Sequence, residues 1–378
     1  GTFARYYVAY VVYKGVADAE RYNIAASYQH KAWRRGDIVW EISGKQGTDM
    51  MEIITTAIYT VIGGTPLAGF FVFASLAFWG AYLLYRAFVI ALPHADHKRY
   101  ALLIFFLPSM LYWPSSIGKE SWLMLFVGVT ALGAARYFTE RRGAVLLLAV
   151  GGVGLAVVRP HIAVLMFAAL LAAQLFRPTG GTTAGLLRKG IGIGVLGVAG
   201  FVLVSASAQF LGIDDIDAQA VTETIDWSSG QTQQGGSEFN PVPLSRPHGV
   251  PMAFITILFR PFPFEAGNAQ MVLQSLEGVF LLGLLLVSWR RLRQLPRILR
   301  SNPFLWFALL YIVGFVLAFA GFANFGILAR QRVLMLPFFL MLLALPKPRP
   351  AIFDHLPLRR GEVGAVAGDD RRLMATRR

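Results

Sequence analysis

Positively charged side chains occur at several places where a hydrophobic sequence is interrupted. Lys119 opens an apolar segment directly after residues 113–118 (WPSSIG). A helix that starts here would present free backbone N–H groups, two serines and a lysine, a combination that suits an anion. The other candidate anion-binding residues are Arg34, Arg159, His161, Arg260, Arg330 and Arg332. Arginine binds phosphate oxygens bidentately, so such a set could hold a diphosphate without a metal. Alternatively, each cation pairs with a nearby acid or reaches the lipid headgroups.

Carboxylates supply the complementary chemistry. Joining an acceptor hydroxyl to an activated sugar requires a base, or at least an orienting acceptor, beside that hydroxyl. The candidates, in order of preference, are Asp18, Asp49 and Glu265, although each could instead cap a helix or form a salt bridge. Glu277 lies in the middle of an apolar run, where it must pair with a cation or stay protonated.

The composition places these residues in a membrane protein. Of the 378 residues, 56% are hydrophobic and 15% are charged, whereas a soluble domain carries about 25% charged residues. A soluble chain cannot bury this much apolar surface, so we predict an all-α, polytopic integral membrane protein. The absence of cysteine excludes thiolate chemistry, and the six histidines lack metal-ligand spacing. No cofactor is predicted. The candidate carboxylates named above could also bind a divalent cation, but their spacing does not specify one.

Nine apolar runs approach the roughly 20 residues that a membrane span needs. They are 66–85, 100–114, 120–137, 144–158, 160–176, 190–210, 269–288, 303–323 and 333–345. The chain begins at Gly1, so we also expect a first helix or a cleaved signal before it, which would give ten spans if it is a helix.

The charges predict how these spans are oriented. If residues 1–65 lie outside, one side receives most of the 35 lysines and arginines and few of the acids. The positive-inside rule then places that side in the cytoplasm, so the net charge of +14 does not require a nucleic-acid partner. We therefore predict a multi-pass protein of the cytoplasmic membrane, with an extracytoplasmic active face and a cytoplasmic tail.

This topology divides the chain into five parts. They are an outer segment with interfacial helices (1–65), a first helix bundle (66–211), an outer loop with an interfacial helix (212–268), a second helix group (269–345) and a basic tail (346–378).

Several short motifs resemble a known class of enzyme. They are Asp18-x-x-x-Tyr22, Gly47-Thr48, Leu107-Pro108-Ser109, Trp113-Pro114-Ser115-Ser116-Ile117-Gly118-Lys119-Glu120, Arg260-Pro261-Phe262-Pro263, and Asn324-Phe325-Gly326 with Arg330 and Arg332. Together they resemble bacterial surface-polysaccharide polymerases and related GT-C-like, lipid-linked glycosyltransferases. One departure is that such polymerases often have two long outer loops between later spans, whereas only 212–250 is long here.

The resemblance implies an enzyme that takes undecaprenyl-diphosphate-linked sugars on the outer side of the membrane. It implies that Lys119, Arg159, Arg260, Arg330 and Arg332 bind the diphosphate and that Asp18 lies near the acceptor. The implied partners are the lipid-linked glycan, membrane lipids and other envelope-polysaccharide assembly proteins.

Two other functions stay open from the sequence. A transporter or flippase for a lipid-linked or anionic substrate would place charged residues near the bilayer midplane, where Glu277 is the main candidate. A non-catalytic membrane subunit would suit the short spans. The cations gather on one predicted face and no internal repeat is visible, which favours the enzyme.

Overall fold

A computed structural model describes residues 1–12, 18–38, 46–211 and 237–347 of the chain. Within these residues the fold is all-helical, and the only pairing of β type is an isolated bridge between Glu238 and Asn324. The α-helices, numbered in chain order, are α1 (Thr2–Tyr7), α2 (Asp18–Arg34), α3 (Gln46–Ile62), α4 (Pro66–Ala91), α5 (His97–Phe106), α6 (Pro108–Tyr112), α7 (Lys119–Phe138), α8 (Ala144–Ala156), α9 (Pro160–Leu175), α10 (Thr183–Leu211), α11 (Gly249–Phe259), α12 (Ala269–Val287), α13 (Trp289–Leu292), α14 (Leu295–Leu299), α15 (Pro303–Phe319), α16 (Phe325–Arg332) and α17 (Leu336–Leu343). A π-helical turn, Val8–Val12, follows α1, and a 3₁₀ turn, Pro263–Glu265, precedes α12.

Local sequence signals explain where many of these helices begin. Asn268, Asn302 and Asn324 precede α12, α15 and α16, and each side chain accepts a hydrogen bond from a backbone N–H of the first turn. Proline occupies the first turn of α4, α6, α9 and α15, where its missing N–H costs nothing.

Among the described residues, four helices are long and apolar enough to cross a membrane, namely α4, α7, α12 and the Thr183–Ser205 part of α10. The number rises to six if each of two bent helix pairs forms one span: α13 and α14 with α15, bent by 117°, and α16 with α17, bent by 63°. The structure thus supports a helical membrane protein. It does not confirm nine spans.

The difference from nine comes from one predicted span that is divided between two helices and from two helices that are short. The predicted span 100–114 is divided between α5 and α6, since Leu107 has extended φ and ψ angles before Pro108. Helix α8 has 13 residues, so it is about 20 Å long, shorter than the roughly 30 Å hydrocarbon core. Its neighbour α9 has 16 residues. The turn predicted between them at Arg159 is present, because Arg159 stands outside both helices and Pro160 begins α9.

Helices α4 and α7 pack closely because glycine lets their backbones approach. A Cβ atom on Gly128 would lie 2.3 Å from the Gly80 carbonyl oxygen, and one on Gly80 would lie 2.2 Å from the Met124 oxygen. Small residues make such contacts possible between membrane helices, where the hydrophobic effect between helices is weak. On the other side of α7, the Trp122 indole donates to the Gly154 carbonyl of α8 at 2.7 Å.

Helix α7 separates two polar regions. Glu120 lies at its start and Arg136 near its end, so the two are about 24 Å apart along the axis. The first region also receives residues of α2, α3 and α16, and the second receives the connection from α9 to α10. The charged segments that were predicted on opposite membrane faces therefore lie at opposite ends of α7.

Some predictions fall largely outside the described residues. The loop 212–268 is described only from residue 237, and the tail 346–378 only as far as Lys347. Within segment 1–65, α2 and α3 pack against each other, and the Tyr59 hydroxyl of α3 donates to Asn23 of α2 at 2.7 Å.

The contact between α4 and α7 predicts that Gly128→Val is destabilising, because the added side chain must push the two backbones apart. We expect a loss of about 1–3 kcal/mol, the usual range for overpacking. Thermal unfolding of the detergent-solubilised protein measures it. The matched control is Gly283→Val in α12, since a Cβ on Gly283 meets nothing within 4 Å. Equal melting temperatures for the two variants would contradict the close contact.

Candidate functional site

A buried carboxylate lies at the centre of the first polar region. Glu120 is the second residue of α7, and its side chain is only 3% exposed. Its Oε1 atom is 2.8 Å from Arg330 Nε and 3.6 Å from Arg159 Nη2. A charge this deeply buried is costly unless it is paired. Glu120 can therefore carry its charge here because the two arginines pair with it.

The ion pairs continue from Glu120 toward the surface. Arg330 Nη1 lies 2.8 Å from Asp18 Oδ2, and the Asp18 side chain is 57% exposed. Exposure therefore rises from Glu120 through Arg159 and Arg330, whose side chains are 16% and 25% exposed, to Asp18. We call Asp18, Lys119, Glu120, Arg159 and Arg330 the charge cluster. Its gradient of exposure leaves the Asp18 end open to a ligand.

Lys119 connects the charge cluster to α3. Its Nζ donates to Thr48 Oγ1 at 3.2 Å. The WPSSIG segment before Lys119 also receives Arg5, whose Nη2 donates to Ser116 Oγ at 3.3 Å and whose guanidinium lies 4.9 Å from the centre of the Tyr112 ring. The segment that was predicted to bind an anion therefore has cations on both sides.

Electrostatics keep Asp18 ionised. Partial burial acts to raise the pKa of Asp18, but Arg330, Lys119 and Arg159 outweigh it and hold that pKa below its usual range. Burial and the nearby Asp18 raise the pKa of Tyr22, which is 2% exposed, so its phenol stays protonated at neutral pH. Asp18 is therefore a charged acceptor beside a fixed set of cations.

Three consecutive residues of α16 contact three different parts of the molecule. Arg330 reaches Glu120 and Asp18, while Gln331 Oε1 accepts a hydrogen bond from Arg159 Nη1. Arg332, only 1% exposed, has its Nη2 atom 3.5 Å from Glu277 Oε1. Because successive helical residues point about 100° apart, this short helix can hold all three contacts at once.

The contacts of Arg332 form a second polar group. Glu277 Oε2 also accepts from the Ser109 N–H at 2.7 Å, and Arg332 Nη1 donates to the Arg260 carbonyl at 3.3 Å. Glu277, which was expected to need a cation, thus has one. A Cβ on the neighbouring Gly278 would lie 2.1 Å from the Phe259 oxygen, so α12 packs tightly against the end of α11 at this point.

Arg260 and Glu265 pair with each other. Arg260 Nε donates to the two carboxylate oxygens of Glu265 at 3.0 and 3.1 Å. The Arg260 guanidinium also lies 4.9 Å from the centre of the Phe239 ring and 5.0 Å from that of Phe325. Burial acts to raise the pKa of Glu265, but Arg260 and the Phe262 N–H outweigh it and lower that pKa.

The structure unites some predicted site residues and separates others. Asp18, Lys119, Arg159 and Arg330 meet in the charge cluster, and Arg332 contacts the Arg260 backbone in the second group. Asp49 is buried one residue after Thr48. His161 lies beside Arg159 with its ring 6.3 Å from that of Phe319.

Arg34 lies away from the charge cluster. It stands at the other end of α2 from Asp18, about 24 Å along the axis, and its Nε donates to the Thr60 carbonyl.

Sequence reasoning assigned no site role to three participants, Glu120, Thr48 and Gln331, although the first two belong to the motifs that carry the resemblance. Glu120 reads as a surface partner of Lys119, and the signal that could have found it is an acid inside the first turn of an apolar helix. Thr48 stands in the Gly47-Thr48 motif without an assigned role, and Gln331 is a neutral residue whose type carries no comparable signal.

Comparison with known proteins identifies no relative. No protein-family model, curated protein or solved structure matches the chain. Within the described ranges no group of three or more His, Asp or Glu residues could hold a metal ion.

Removing the central carboxylate is expected to destabilise the protein severely. Glu120→Ala leaves Arg330 and Arg159 partly buried without their shared partner, which costs about 3–5 kcal/mol for a buried ion pair. Thermal unfolding in detergent measures the loss. The control is Glu52→Ala, which breaks the Arg21–Glu52 pair, whose arginine side chain is 47% exposed, and should cost about 0–1 kcal/mol. A Glu120 variant as stable as the control would show that the charge is not needed.

Asp18 should make a pH-dependent contribution to stability. Its pKa is lower in the folded protein, so the stabilisation is fully present above the ordinary value of about 3.9 and is lost as the pH falls through the folded pKa. We expect wild type to melt above Asp18→Asn at neutral pH and the difference to shrink at about pH 3. Melting curves across this range test it. A difference that is constant with pH would argue against the ion pair.

Proposed function

We propose that the chain is a membrane glycosyltransferase or polysaccharide polymerase that uses a polyprenyl-diphosphate-linked sugar donor. The observation that carries this proposal is the meeting of Lys119, Arg159, Arg330 and Asp18 around one buried carboxylate. These residues come from four distant segments, and each was a candidate on chemical grounds alone. Their convergence favours one shared ligand over four unrelated surface charges.

The charge balance of the cluster suits a diphosphate. Lys119, Arg159 and Arg330 oppose Asp18 and Glu120, and Arg5 adds a further cation nearby through Ser116. A diphosphate diester carries two negative charges and would compete with Asp18 for Arg330. Breaking the Asp18–Arg330 pair costs little free energy, because an ion pair with one exposed partner contributes only about 0–1 kcal/mol. Glu120 stays behind and keeps the arginines in position.

This exchange gives Asp18 a role in the reaction. The acceptor hydroxyl attacks the anomeric carbon, a new glycosidic C–O bond forms, and the bond from that carbon to the diphosphate oxygen breaks. The proton of the hydroxyl passes to the Asp18 carboxylate, and the diphosphate leaves with the electron pair. Lys119, Arg159 and Arg330 stabilise the charge that develops on the leaving group, each by about 2.7–4 kcal/mol if well placed.

The two ends of α7 support an outer location for this chemistry. The charge cluster lies at the start of α7, and the opposite end carries the arginine-rich connections that the positive-inside rule assigns to the cytoplasm. A diphosphate at the start of α7 also meets the positive end of the helix dipole. The prenyl chain would extend along the apolar helix faces.

The second polar group has a supporting role in this proposal. Arg332 and Arg260 already have protein partners, Glu277 and Glu265. They hold α16 against α11 and α12, so they position Arg330 without needing to touch the diphosphate.

A transporter is the second candidate, and one observation favours it. The Arg332–Glu277 pair joins a candidate span, α12, to a helix pair that is bent by 63°. Buried charges beside broken helices are typical of transporter substrate sites. Such a protein would move a labelled lipid-linked or anionic substrate across proteoliposomes, and Glu277→Gln would abolish that movement.

The transferase assay uses the purified full chain with a panel of undecaprenyl-diphosphate-linked oligosaccharides, with and without EDTA, and mass spectrometry of the products. We expect Asp18→Asn to lower kcat at least 100-fold, as loss of a general base does. Lys119→Gln should lower it about 100- to 1000-fold through the lost charge stabilisation. Both variants should melt within a few degrees of wild type.

Controls of the same charge change are Asp37→Asn and Arg246→Gln, at exposed positions outside the charge cluster. Product that forms with wild type and the controls but not with the two cluster variants would support the transferase. Full activity in Asp18→Asn and Lys119→Gln would exclude the cluster as the active site, and no product from any donor, together with substrate movement in proteoliposomes, would favour the transporter.

A further inference from the structure

A second charged site lies at the other end of α7. A cavity of about 400 Å³ is bordered by the turn between α7 and α8 and by the connection from α9 to α10. Its charged and aromatic lining consists of Tyr137, Glu140, Arg141, Arg177 and Arg188, which we call the arginine pocket. The described lining of this cavity thus contains three arginines and one acid. The pocket plays no part in the proposed transferase reaction.

Glu140 pairs with two of these arginines. Its Oε1 atom accepts a hydrogen bond from Arg177 Nη2 at 2.8 Å and another from Arg188 Nη1. The Arg177 guanidinium also lies 5.4 Å from the centre of the Tyr137 ring, and its side chain is only 10% exposed. The side chains of Arg188 and Glu140 are each 55% exposed, so this end of the pocket is open. Arg177 is fixed before any ligand arrives, whereas Arg188, although it also pairs with Glu140, is exposed enough to contact one.

Apolar side chains surround the charged part of the pocket. Val145 and Leu146 of α8 line it and are 67% and 68% exposed. Leu186 and Leu187, next to Arg188 on α10, are 59% and 66% exposed. The span in α10 is the least buried of the four candidate spans, with 11% of its most apolar window inside the protein. A ligand with a negatively charged head and hydrocarbon chains matches both halves of this surface.

We propose that the arginine pocket binds the headgroup phosphate of an anionic phospholipid, with the acyl chains along α8 and α10. The phosphate diester would accept hydrogen bonds from Arg177 and Arg188, which are suited to bidentate phosphate binding. A lipid with a net negative charge is favoured over a zwitterionic one, because the three arginines outnumber Glu140. The apolar walls favour a lipid over a free phosphate ion. Basic residues at the membrane surface attract anionic lipids in the same way.

The experiment measures lipid binding to the full chain in detergent by native mass spectrometry, with phosphatidylglycerol as the probe and phosphatidylcholine as the zwitterionic comparison. We expect wild type to retain phosphatidylglycerol preferentially. The double variant Arg177→Gln/Arg188→Gln should bind phosphatidylglycerol at least roughly tenfold more weakly than wild type. The matched control Arg297→Gln/Arg300→Gln removes the same charge at two exposed positions and should bind like wild type.

Two further measurements separate the alternatives. Arg177→Lys/Arg188→Lys keeps the charge and loses the bidentate geometry, so it should bind at an intermediate level, and Arg188→Gln alone tests the pocket if the double variant fails to fold. Equal binding of both lipids, or equal losses in the pocket and control variants, would overturn the proposal. Displacement of phosphatidylglycerol by millimolar inorganic phosphate would also overturn it, because the pocket would then be a site for a soluble anion.

Discussion

The Glu120 carboxylate imposes the strongest constraint on this fold. It lies at the start of an apolar helix with almost no access to water, so its charge can be kept only if cations are brought to it. The cations are Arg159, from the turn before α9, and Arg330, from α16. Segments about 40 and 210 residues away along the chain must therefore meet at the start of α7. Once they do, Asp18 has a partner at the surface and Lys119 lies beside it.

Helix α16 transmits this constraint to the rest of the second helix group. It is short and caps its own start with Asn324, and its last three residues reach α7 with α2, the turn before α9, and α12. The following helix, α17, is buried along its whole length, so it cannot contribute a lipid-facing surface. A helix pair of this kind is held by polar contacts at one end and by hydrophobic packing at the other. This arrangement places charged groups within the protein without exposing them to lipid.

Opposite ends of α7 carry two arginine-containing sites of different character. At the start, a buried acid holds two arginines, and exposure increases outward to Asp18. At the other end, a half-exposed acid holds two arginines beside apolar helix faces. The first arrangement offers a charged acceptor next to cations, which the proposed transfer to a hydroxyl would use. The second combines an excess of arginines over acid with exposed hydrocarbon, which suits the proposed binding of a lipid.

Composition and residue order are enough to predict a helical membrane protein and the break before Pro160, and they single out Asp18, Lys119, Arg159 and Arg330 as charged candidates. These features depend on local properties, since hydropathy, proline geometry and side-chain charge each follow from the residues of one short segment. The partner that each charged side chain finds is not a local property. Arg34 and Arg159 look alike in the sequence, but α2 carries Arg34 away from the charge cluster while the turn before α9 carries Arg159 into it.

Glu120 likewise resembles a surface residue until α16 packs over it. Each of these outcomes depends on contacts between segments that are far apart along the chain, and such contacts form only when the helices pack.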